Sequence, residues 1–304
     1  MLKQFIKKAL RKGAFFAFIS FVIFLSFSAS ADNCISNKLS PADNAKVKWV
    51  YDGDTLLLTD KRKIRIIGID TPETRHHKQK AQAYGAKAKE ALRELLKKFN
   101  YQVILRYGKE RKDKYKRTLA HVYLPDGTNI SNWLLEQGYA KTLAFPPNIA
   151  LAKCYKKSEK MAQARALKIW RYKGNQVKMA KSLPRRINGY VRLQGKISKI
   201  KRYRKSLIME LESNSKSPIR VKIKKRNMRY FNKAEFKEIN PDKLWNKTII
   251  VTGLLKNKKG KRTLYLNYPT QLKVVDGMVG NAANSAKADG KPQKTVKLKW
   301  SLEK

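Results

Sequence analysis

The first pattern along the chain is an alternation of apolar and polar residues that begins at residue 46. A period of two is typical of a β-strand with one buried face. The turn Asp52-Gly53-Asp54 ends this strand, and further strands of a meander are predicted at residues 55–58 and 63–69. The alternating residues of the first strand are Val47, Trp49 and Tyr51 against Lys48 and Val50.

Residues 79–100 change to a helical period, in which apolar residues recur at spacings of three and four. Two more strands are predicted at residues 101–107 and 119–124, and two more helices at residues 129–138 and 149–170. Five strands with helices indicate a small β-barrel with helices packed beside it. Strict alternation of strand and helix is absent, which argues against a parallel doubly wound sheet.

A second unit follows a polar, basic linker at residues 172–186. It shows five strand patterns, with one amphipathic stretch at residues 231–239 between the third and the fourth. That order is typical of an OB-type barrel. The strand patterns fall at residues 191–200, 207–212, 219–223, 248–255 and 263–268.

The predicted fold class is therefore mainly β with α, built from two small barrels. The first barrel domain is predicted at residues 45–172 and the second, OB-like one at residues 187–275. Residues 276–304 are rich in Gly, Ala, Asn and Lys and are expected to form a disordered tail.

The chain is strongly basic. Lys and Arg number 70 against 22 Asp and Glu, for a formal net charge of +48. Such an excess makes a compact chain repel itself unless a polyanion neutralises it. Nucleic acid is the first candidate partner, and an anionic membrane or cell-wall polymer is the second.

Residues 1–31 have the pattern of a secretory signal peptide. A basic segment precedes an apolar segment at residues 14–27, which is too short for a stable membrane anchor. Ala29-Ser30-Ala31 supplies the small residues of a cleavage site. We expect cleavage after Ala31 and a secreted or periplasmic protein, with an uncleaved membrane anchor as the alternative.

Two cysteines, Cys34 and Cys154, follow the predicted signal peptide. In an exported chain an even number permits a disulfide, and two free thiols are the alternative. Neither cysteine has a C-x-x-C neighbour and the three His form no H-x-x-x-H pattern, so a zinc site is disfavoured.

Three carboxylates mark a candidate site. Asp70 and Glu73 follow an apolar strand, and Asp54 ends the preceding turn. In a meander these ends can meet, and two Asp side chains with a backbone carbonyl and water form an oxygen-only site that suits Ca²⁺. Glu73 lies close enough in the chain to act as a general base. The alternative is a strand end followed by a solvated Thr-Pro turn.

Two arginines accompany these carboxylates: Arg65 on the strand that leads to Asp70, and Arg117 at the start of a later strand. Guanidinium groups beside an acidic metal site suit a phosphodiester, because hydrolysis develops extra negative charge on the phosphorus oxygens. Arg stays protonated and binds phosphate oxygens in pairs. The pattern therefore indicates phosphodiester hydrolysis.

Four separated motifs resemble the staphylococcal (thermo)nuclease family, in the family's order and at comparable spacings. The resemblance covers roughly residues 45–172. It implies a five-stranded OB-like barrel with three helices and Ca²⁺-dependent cleavage of DNA and RNA that leaves 3′-phosphates. The motifs are Tyr51-Asp52-Gly53-Asp54-Thr55, Arg65 with Ile69-Asp70-Thr71-Pro72-Glu73-Thr74, Asp113-Lys114-Tyr115-Lys116-Arg117, and Lys168-Ile169-Trp170.

The resemblance also implies a role for each matching residue. The implied Ca²⁺ ligands are Asp54, Asp70 and the Thr71 carbonyl, the catalytic residues are Arg65, Glu73 and Arg117, and the substrate-binding residues are Lys114, Tyr115 and Lys116. The family usually has Gly where this chain has Lys116. If that position requires a positive φ, a lysine there costs about 1 kcal/mol. The lysine would add a phosphate contact.

The sequence thus predicts an exported, Ca²⁺-dependent, sugar-nonspecific nuclease that binds DNA and RNA in a salt-sensitive way. The second barrel would hold polynucleotide through Tyr190, Tyr203 and Tyr230 with nearby cations, unless these tyrosines belong to its core. The alternative function is a secreted protein without catalysis that binds nucleic acid or another anionic polymer. The presence of all five active-site side chains favours the enzyme.

Overall fold

The computed structural model describes residues 34–36, 39–74, 81–214 and 217–275. The predicted signal peptide and the predicted tail lie outside these residues. The chain divides into two compact units between Gln176 and Val177. Among the described residues, no helix is both long enough and apolar enough to span a lipid bilayer.

The first unit is built on a closed barrel of five strands in the order β1-β2-β3-β6-β5. Strands β3 and β6 run parallel and the other barrel pairs are antiparallel. Strands β4 and β7 form a separate pair beside the barrel. The strands are β1 (Asp43–Asp52), β2 (Thr55–Leu58), β3 (Lys63–Ile66), β4 (Gly68–Asp70), β5 (Gln102–Lys112), β6 (Thr118–Tyr123) and β7 (Lys141–Leu143).

Three helices pack beside this barrel: α1 (Gly85–Lys97), α2 (Ile130–Glu136) and α3 (Ala152–Ala164). Helix α2 begins after Asn129, whose side chain accepts a hydrogen bond from the Asn132 N–H group and so caps the helix.

The third predicted helix, residues 149–170, is shorter in the structure. Helix α3 ends at Ala164 because Ala166 and Lys168 adopt positive φ angles of 47° and 42°. The chain continues as the 3-10 turn Lys168–Arg171, which buries Ile169 and Trp170.

A disulfide joins Cys34 to Cys154, with the two Cα atoms 5.7 Å apart. The alternative of two free thiols is therefore wrong in this structure. The bond fixes the segment before the barrel to helix α3, and Cys34 is buried in the core of the first unit.

The second unit contains a second closed barrel, because β12 pairs with β9 as well as with β13. Its strand order, β9-β10-β11-β13-β12, matches that of the first barrel, and its third and fifth strands are again parallel. The predicted fold class is confirmed. The elements are β8 (Val177–Met179), β9 (Gly189–Tyr203), β10 (Ser206–Leu211), β11 (Ile219–Lys224), α4 (Lys225–Phe231), β12 (Thr248–Lys258), β13 (Lys261–Leu266) and β14 (Leu272–Val275).

Two local predictions for the second unit differ from the structure. Residues 172–186 were expected to be a linker, but β8 pairs with β9, and Ala180 and Leu183 are buried in the second core. The amphipathic stretch at residues 231–239 is a 3-10 turn, Ala234–Ile239, that follows helix α4. Ala180 and Leu183 fix the first segment by burial, whereas in the second segment Phe231 is buried and Ile239 packs against the core only in part.

Candidate active site

The turn after β1 meets the end of β4, although the strand predicted at residues 63–69 is divided into β3 and β4, and β4 pairs with β7 beside the barrel. The Thr71 N–H group donates to Asp54 Oδ2 at 3.0 Å, and the Thr71 hydroxyl donates to the same oxygen at 3.2 Å. The approach is close because Gly53 has no side chain: a Cβ atom there would lie 2.7 Å from Thr71 Cγ2. The structure therefore places Asp54, Asp70 and Thr71 at one edge of the barrel.

Arg65 lies between the two aspartates. Its Nη1 atom is 3.0 Å from Asp54 Oδ1, and its Nη2 atom is 3.4 Å from Asp70 Oδ1. Nη1 also donates to the Ile66 carbonyl oxygen at 3.1 Å. The Arg65 side chain is only 13% exposed, so these contacts fix the orientation of its guanidinium group.

Burial shapes the electrostatics of this group. It raises the pKa of Asp54 to about 6, although the nearby Arg65 guanidinium opposes the shift. Desolvation also raises the pKa of Asp70, whose side chain nevertheless keeps 43% of its surface open to solvent. Lys141 pairs with Asp70 across β4 and β7, and burial lowers the pKa of this lysine.

Glu73 lies on the segment that leaves this edge, with its side chain exposed. Its carbonyl oxygen accepts a hydrogen bond from the Gln82 N–H group at 3.0 Å. The next residue, Thr74, donates its hydroxyl to the Tyr51 carbonyl oxygen of β1 at 3.5 Å. The backbone around Glu73 is thus attached both to the loop before α1 and to the strand that leads to Asp54.

Gly85, the first residue of α1, also holds this segment. A Cβ atom at Gly85 would lie 2.3 Å from the Glu73 carbonyl oxygen and 2.8 Å from its carbonyl carbon. The sequence pattern does not reveal the roles of Gln82 and Gly85, because it predicts a helix from residue 79, whereas the helix begins at Gly85. A glycine inside an otherwise favourable helix pattern was the available signal.

Arg117 lies directly before β6, whose first residue Thr118 pairs with Ile64 of β3. The two candidate phosphate-binding arginines are therefore carried by neighbouring strands. The Arg117 side chain bonds Asp113 through Nε at 2.8 Å and Nη2 at 2.7 Å. The contacts described for Arg117 join it to Asp113 and Tyr115, and none of them joins it to the group around Asp54.

Partial burial raises the pKa of Asp113, but the hydrogen bonds from Arg117 outweigh this effect and hold it below its usual value. In this turn Tyr115 is 67% exposed, with Lys114 Nζ 4.7 Å and Arg117 Cζ 5.5 Å from its ring centroid. Lys116 has φ 62°, the left-handed conformation that favours glycine. The turn presents an open aromatic ring surrounded by cations.

The donor set fits a hard cation. Asp54 and Asp70 supply carboxylate oxygens and Thr71 a backbone carbonyl, which are the ligands Ca²⁺ prefers. Two carboxylates face the single guanidinium of Arg65, and Asp52 adds negative charge next to Asp54. Within the described ranges, no group of three or more His, Cys, Asp or Glu side chains is arranged to hold a metal. A cation here would rely on two carboxylates, a carbonyl and water.

The protein-family comparison and the comparison with individual proteins indicate the same family. The model of the family described as staphylococcal nuclease homologue matches residues 63–172. A thermonuclease from Staphylococcus intermedius is 40% identical over 129 residues, which cover 41% of this chain and 74% of that protein.

Two proteins from Bacillus subtilis (strain 168) are also similar. The SPbeta prophage-derived endonuclease YokF is 35% identical over 127 residues, covering 40% of this chain and 42% of that protein. The endonuclease YncB is 32% identical over 135 residues, covering 43% and 63%. With the closed barrel and the grouping of Asp54, Arg65 and Asp70, these similarities show that the chain belongs to the staphylococcal nuclease family.

Proposed function

We propose that this nuclease is an exported, Ca²⁺-dependent phosphodiesterase that cleaves DNA and RNA without sugar specificity and leaves 3′-phosphates. The observation that carries the proposal is the group of side chains in which Arg65 contacts both Asp54 and Asp70. An arginine fixed between two carboxylates, with the exposed Glu73 three residues after Asp70, is suited to a charged phosphodiester and a water nucleophile.

Asp54, Asp70 and the Thr71 carbonyl would hold the cation, and bound Ca²⁺ would supply Lewis-acid stabilisation of the phosphate oxygens. Arg65 is pre-oriented by its carboxylate and carbonyl partners, so little reorganisation accompanies substrate binding. Its charge stabilises the transition state more than the substrate, because negative charge increases on the phosphoryl oxygens during attack.

Glu73 would remove the proton from the attacking water as a general base. Arg117 would be the second phosphate-binding arginine. Asp113 holds Nε and Nη2 of Arg117, and the other N–H groups of the same guanidinium would donate to a phosphate oxygen when substrate binds. Lys114, Tyr115 and Lys116 would contact the nucleotide beside it.

Cleavage of single-stranded DNA and of RNA is the direct test, with Ca²⁺ and with a chelator. Glu73→Gln should lose a factor of about 100 or more in kcat and still bind substrate, because only the proton acceptor is removed. Glu94→Gln, a change at an exposed carboxylate of α1, is the matched control. Cleavage that survives the chelator would contradict the metal proposal, and full activity of Glu73→Gln would contradict the role of the base.

Arg65→Lys tests the guanidinium itself. A lysine keeps the charge but cannot contact Asp54, Asp70 and a phosphate in one fixed plane. We expect kcat/KM to fall at least tenfold, while Arg62→Lys, a change at a neighbouring arginine paired with Asp43 and Asp60, serves as control. Equal activity of both variants would refute the phosphate-binding role of Arg65.

Export is proposed from the basic and apolar pattern of residues 1–31, and the Cys34–Cys154 disulfide supports an oxidising compartment. The mature protein would begin at Asp32. N-terminal sequencing of the secreted or periplasmic protein tests this, and an intact first 31 residues on the accumulated protein would contradict it.

We also propose that the second barrel binds polynucleotide on the outer face of β10, β11 and β13. Alternating residues of β11 point inward and are buried, whereas Arg220 and Lys222 lie on the outer face. Lys222 pairs with Tyr265, and Lys256 lies 6.0 Å from that ring. Residues 177–275 contain few acidic side chains, namely Glu210, Glu212, Glu235, Glu238 and Asp242.

Of the tyrosines named for this role from the sequence, Tyr203 is 54% exposed. Tyr230 is 8% exposed and packs against Tyr268, so it belongs to the core, and Tyr190 is half-buried. Replacing Arg220 and Lys222 by Gln should weaken binding of DNA and reduce the salt dependence of log K by up to about two. Replacing Lys233 and Lys237, two exposed lysines of the Ala234–Ile239 region, is the control. Equal losses in both variants would contradict a defined face.

A further inference from the structure

Trp49 is an exposed tryptophan next to the candidate active site. It is 57% exposed, although the alternating pattern of β1 groups it with the buried Val47. The pairing of β1 with β2 shifts register between Val47 and Trp49, so Val47 and Val50 both enter the core and Trp49 lies outside. A β-bulge thus presents a large aromatic ring to solvent on the strand that ends at Asp52.

The ring of Trp49 lies beside a basic depression. Lys89 Nζ is 5.2 Å from the ring centroid, and Lys48 and Tyr101 line the same depression of about 180 Å³. Arg93 also lines it, but this arginine forms an ion pair with Glu90 at 3.1 Å. Lys48 and Lys89 are thus the lysines that an anion next to the Trp49 ring would contact, and Arg93 shares its charge with Glu90.

A second aromatic residue, Tyr51, lies on β1 between Trp49 and the candidate active site. Tyr51, two residues further along β1, has Lys63 Nζ 4.2 Å from its ring centroid. The pairing of β1 with β2 shifts register again between Val50 and Asp52, and within this second shift Tyr51 is half-buried, whereas the neighbouring Val50 is buried. The carbonyl oxygen of Tyr51 accepts the Thr74 hydroxyl, so Tyr51 lies beside the segment that carries Glu73.

We propose that Trp49 and Lys89, with Tyr51 and Lys63, form an extended subsite for single-stranded nucleic acid that leads to the active site. Exposed rings stack unpaired bases of any sequence, and a lysine beside each ring can contact the adjacent phosphate. Duplex bases are already stacked, so the subsite favours single strands. This inference rests on the proposed nuclease function and extends it to the length of substrate that the protein holds.

The span sets the expected substrate length. Asp52 lies three positions after Trp49, which corresponds to about 10 Å of strand, or about three nucleotides at the stacked spacing of 3.4 Å. A dinucleotide is therefore too short to extend from Asp52 to Trp49, whereas a decanucleotide is long enough. The subsite should increase affinity for oligonucleotides longer than about four nucleotides.

Binding is measured with the full chain and a fluorescently labelled single-stranded DNA decamer in the presence of a chelator, so that no cleavage is required. Trp49→Ala should weaken binding about 5- to 150-fold, the range expected for loss of one stacked base. Trp49→Tyr should recover most of the affinity, because a tyrosine ring also stacks. Trp245→Ala, a change at another exposed tryptophan, is the matched control.

Two comparisons separate stacking from charge. Lys89→Gln should weaken binding of the decamer and reduce the salt dependence of log K by about one, relative to Lys97→Gln at the end of the same helix. The loss caused by Trp49→Ala should be larger for the decamer than for an inorganic polyphosphate, which has no bases, and larger than for a dinucleotide.

The subsite is refuted if Trp49→Ala binds the decamer within twofold of the unmodified protein, or if Trp245→Ala loses as much. Equal losses for decamer and polyphosphate would also overturn it, because they would indicate charge without stacking. Failure of the nuclease proposal is a separate result: the unmodified protein would then cleave no nucleic acid with Ca²⁺, while the binding comparison could still be scored.

Discussion

Gly85→Ala should disable the enzyme without removing any chemical group from the active site. The added Cβ atom would lie 2.3 Å from the Glu73 carbonyl oxygen, whereas ordinary contacts begin at 3.4 Å. The nearest atoms belong to the backbone of Glu73 and Pro72, so no side-chain rotation relieves the overlap. The Glu73 segment or the start of α1 must therefore move by about 1 Å, and a misplacement of this size costs about 100-fold in rate.

The assay is steady-state cleavage of a single-stranded oligonucleotide with Ca²⁺, at a temperature well below the melting temperature of the variant. Overpacking is expected to cost about 1–3 kcal/mol of stability, so thermal unfolding is measured in parallel. We expect kcat to fall about 100-fold, while the dissociation constant in chelator changes little because Arg65 and the basic surfaces stay in place. Gly253→Ala is the control, since the nearest atom to its Cβ would be Gln271 Nε2 at 3.1 Å, and Leu264 Cδ2 and the Tyr265 carbonyl oxygen would lie at the ordinary contact distance of 3.5 Å.

A double variant tests whether Gly85 acts through Glu73. If it does, adding Gly85→Ala to Glu73→Gln should cost little further activity, because the group being positioned is already absent. Wild-type kcat in Gly85→Ala, or full additivity of the two losses, would refute the reasoning.

Three further predictions concern stability. Replacing both Cys34 and Cys154 by Ser should lower the free energy of unfolding by up to about 5 kcal/mol, because the bond closes a loop of 120 residues; equal denaturation midpoints of both proteins would contradict this. Burial lowers the pKa of His121 to about 4, so the folded protein keeps this histidine neutral at pH values where the unfolded chain protonates it. The free energy of unfolding should therefore fall by about 3 kcal/mol as the pH drops from 6.5 to 4. His121→Phe should show a correspondingly weaker pH dependence in chemical denaturation, and an unchanged slope would exclude His121 as the cause. Lys116→Gly should raise the free energy of unfolding by up to about 1 kcal/mol, because the φ angle of 62° favours glycine. The melting temperature should rise slightly, and a lower melting temperature would show that the lysine side chain makes a stabilising contact.

Some parts of the site were predictable because they depend on local chain geometry. Asp54 ends the turn between two adjacent strands, and Asp70 ends a strand that follows directly. In a meander the ends of neighbouring strands lie close together, so the proximity of these two residues follows from the period-two pattern and the positions of the turns. Arg65 belongs to the strand between them, and its contact with both carboxylates requires little beyond that topology.

Other parts depend on contacts between residues far apart in the chain. The position of Glu73 is fixed by Gln82, in the loop before α1, and by Gly85, the first residue of α1. The exposure of Trp49 depends on a bulge, which shifts the pairing of β1 against β2 and cannot be seen in the pattern of β1 alone. The bond between Cys34 and Cys154 was left open because an even cysteine count permits both states.

The sequence by itself determined the class of fold, the basic character of the surface and the identity of the groups that could act on a phosphodiester. These properties follow from residue types and short-range spacing, which the chain carries before it folds. Only the tertiary structure decided that Tyr230 belongs to the second core and that a tryptophan lies open beside the catalytic edge. The physical reason is that barrel closure and strand register decide which side of a strand is buried, and both arise from pairings between distant segments.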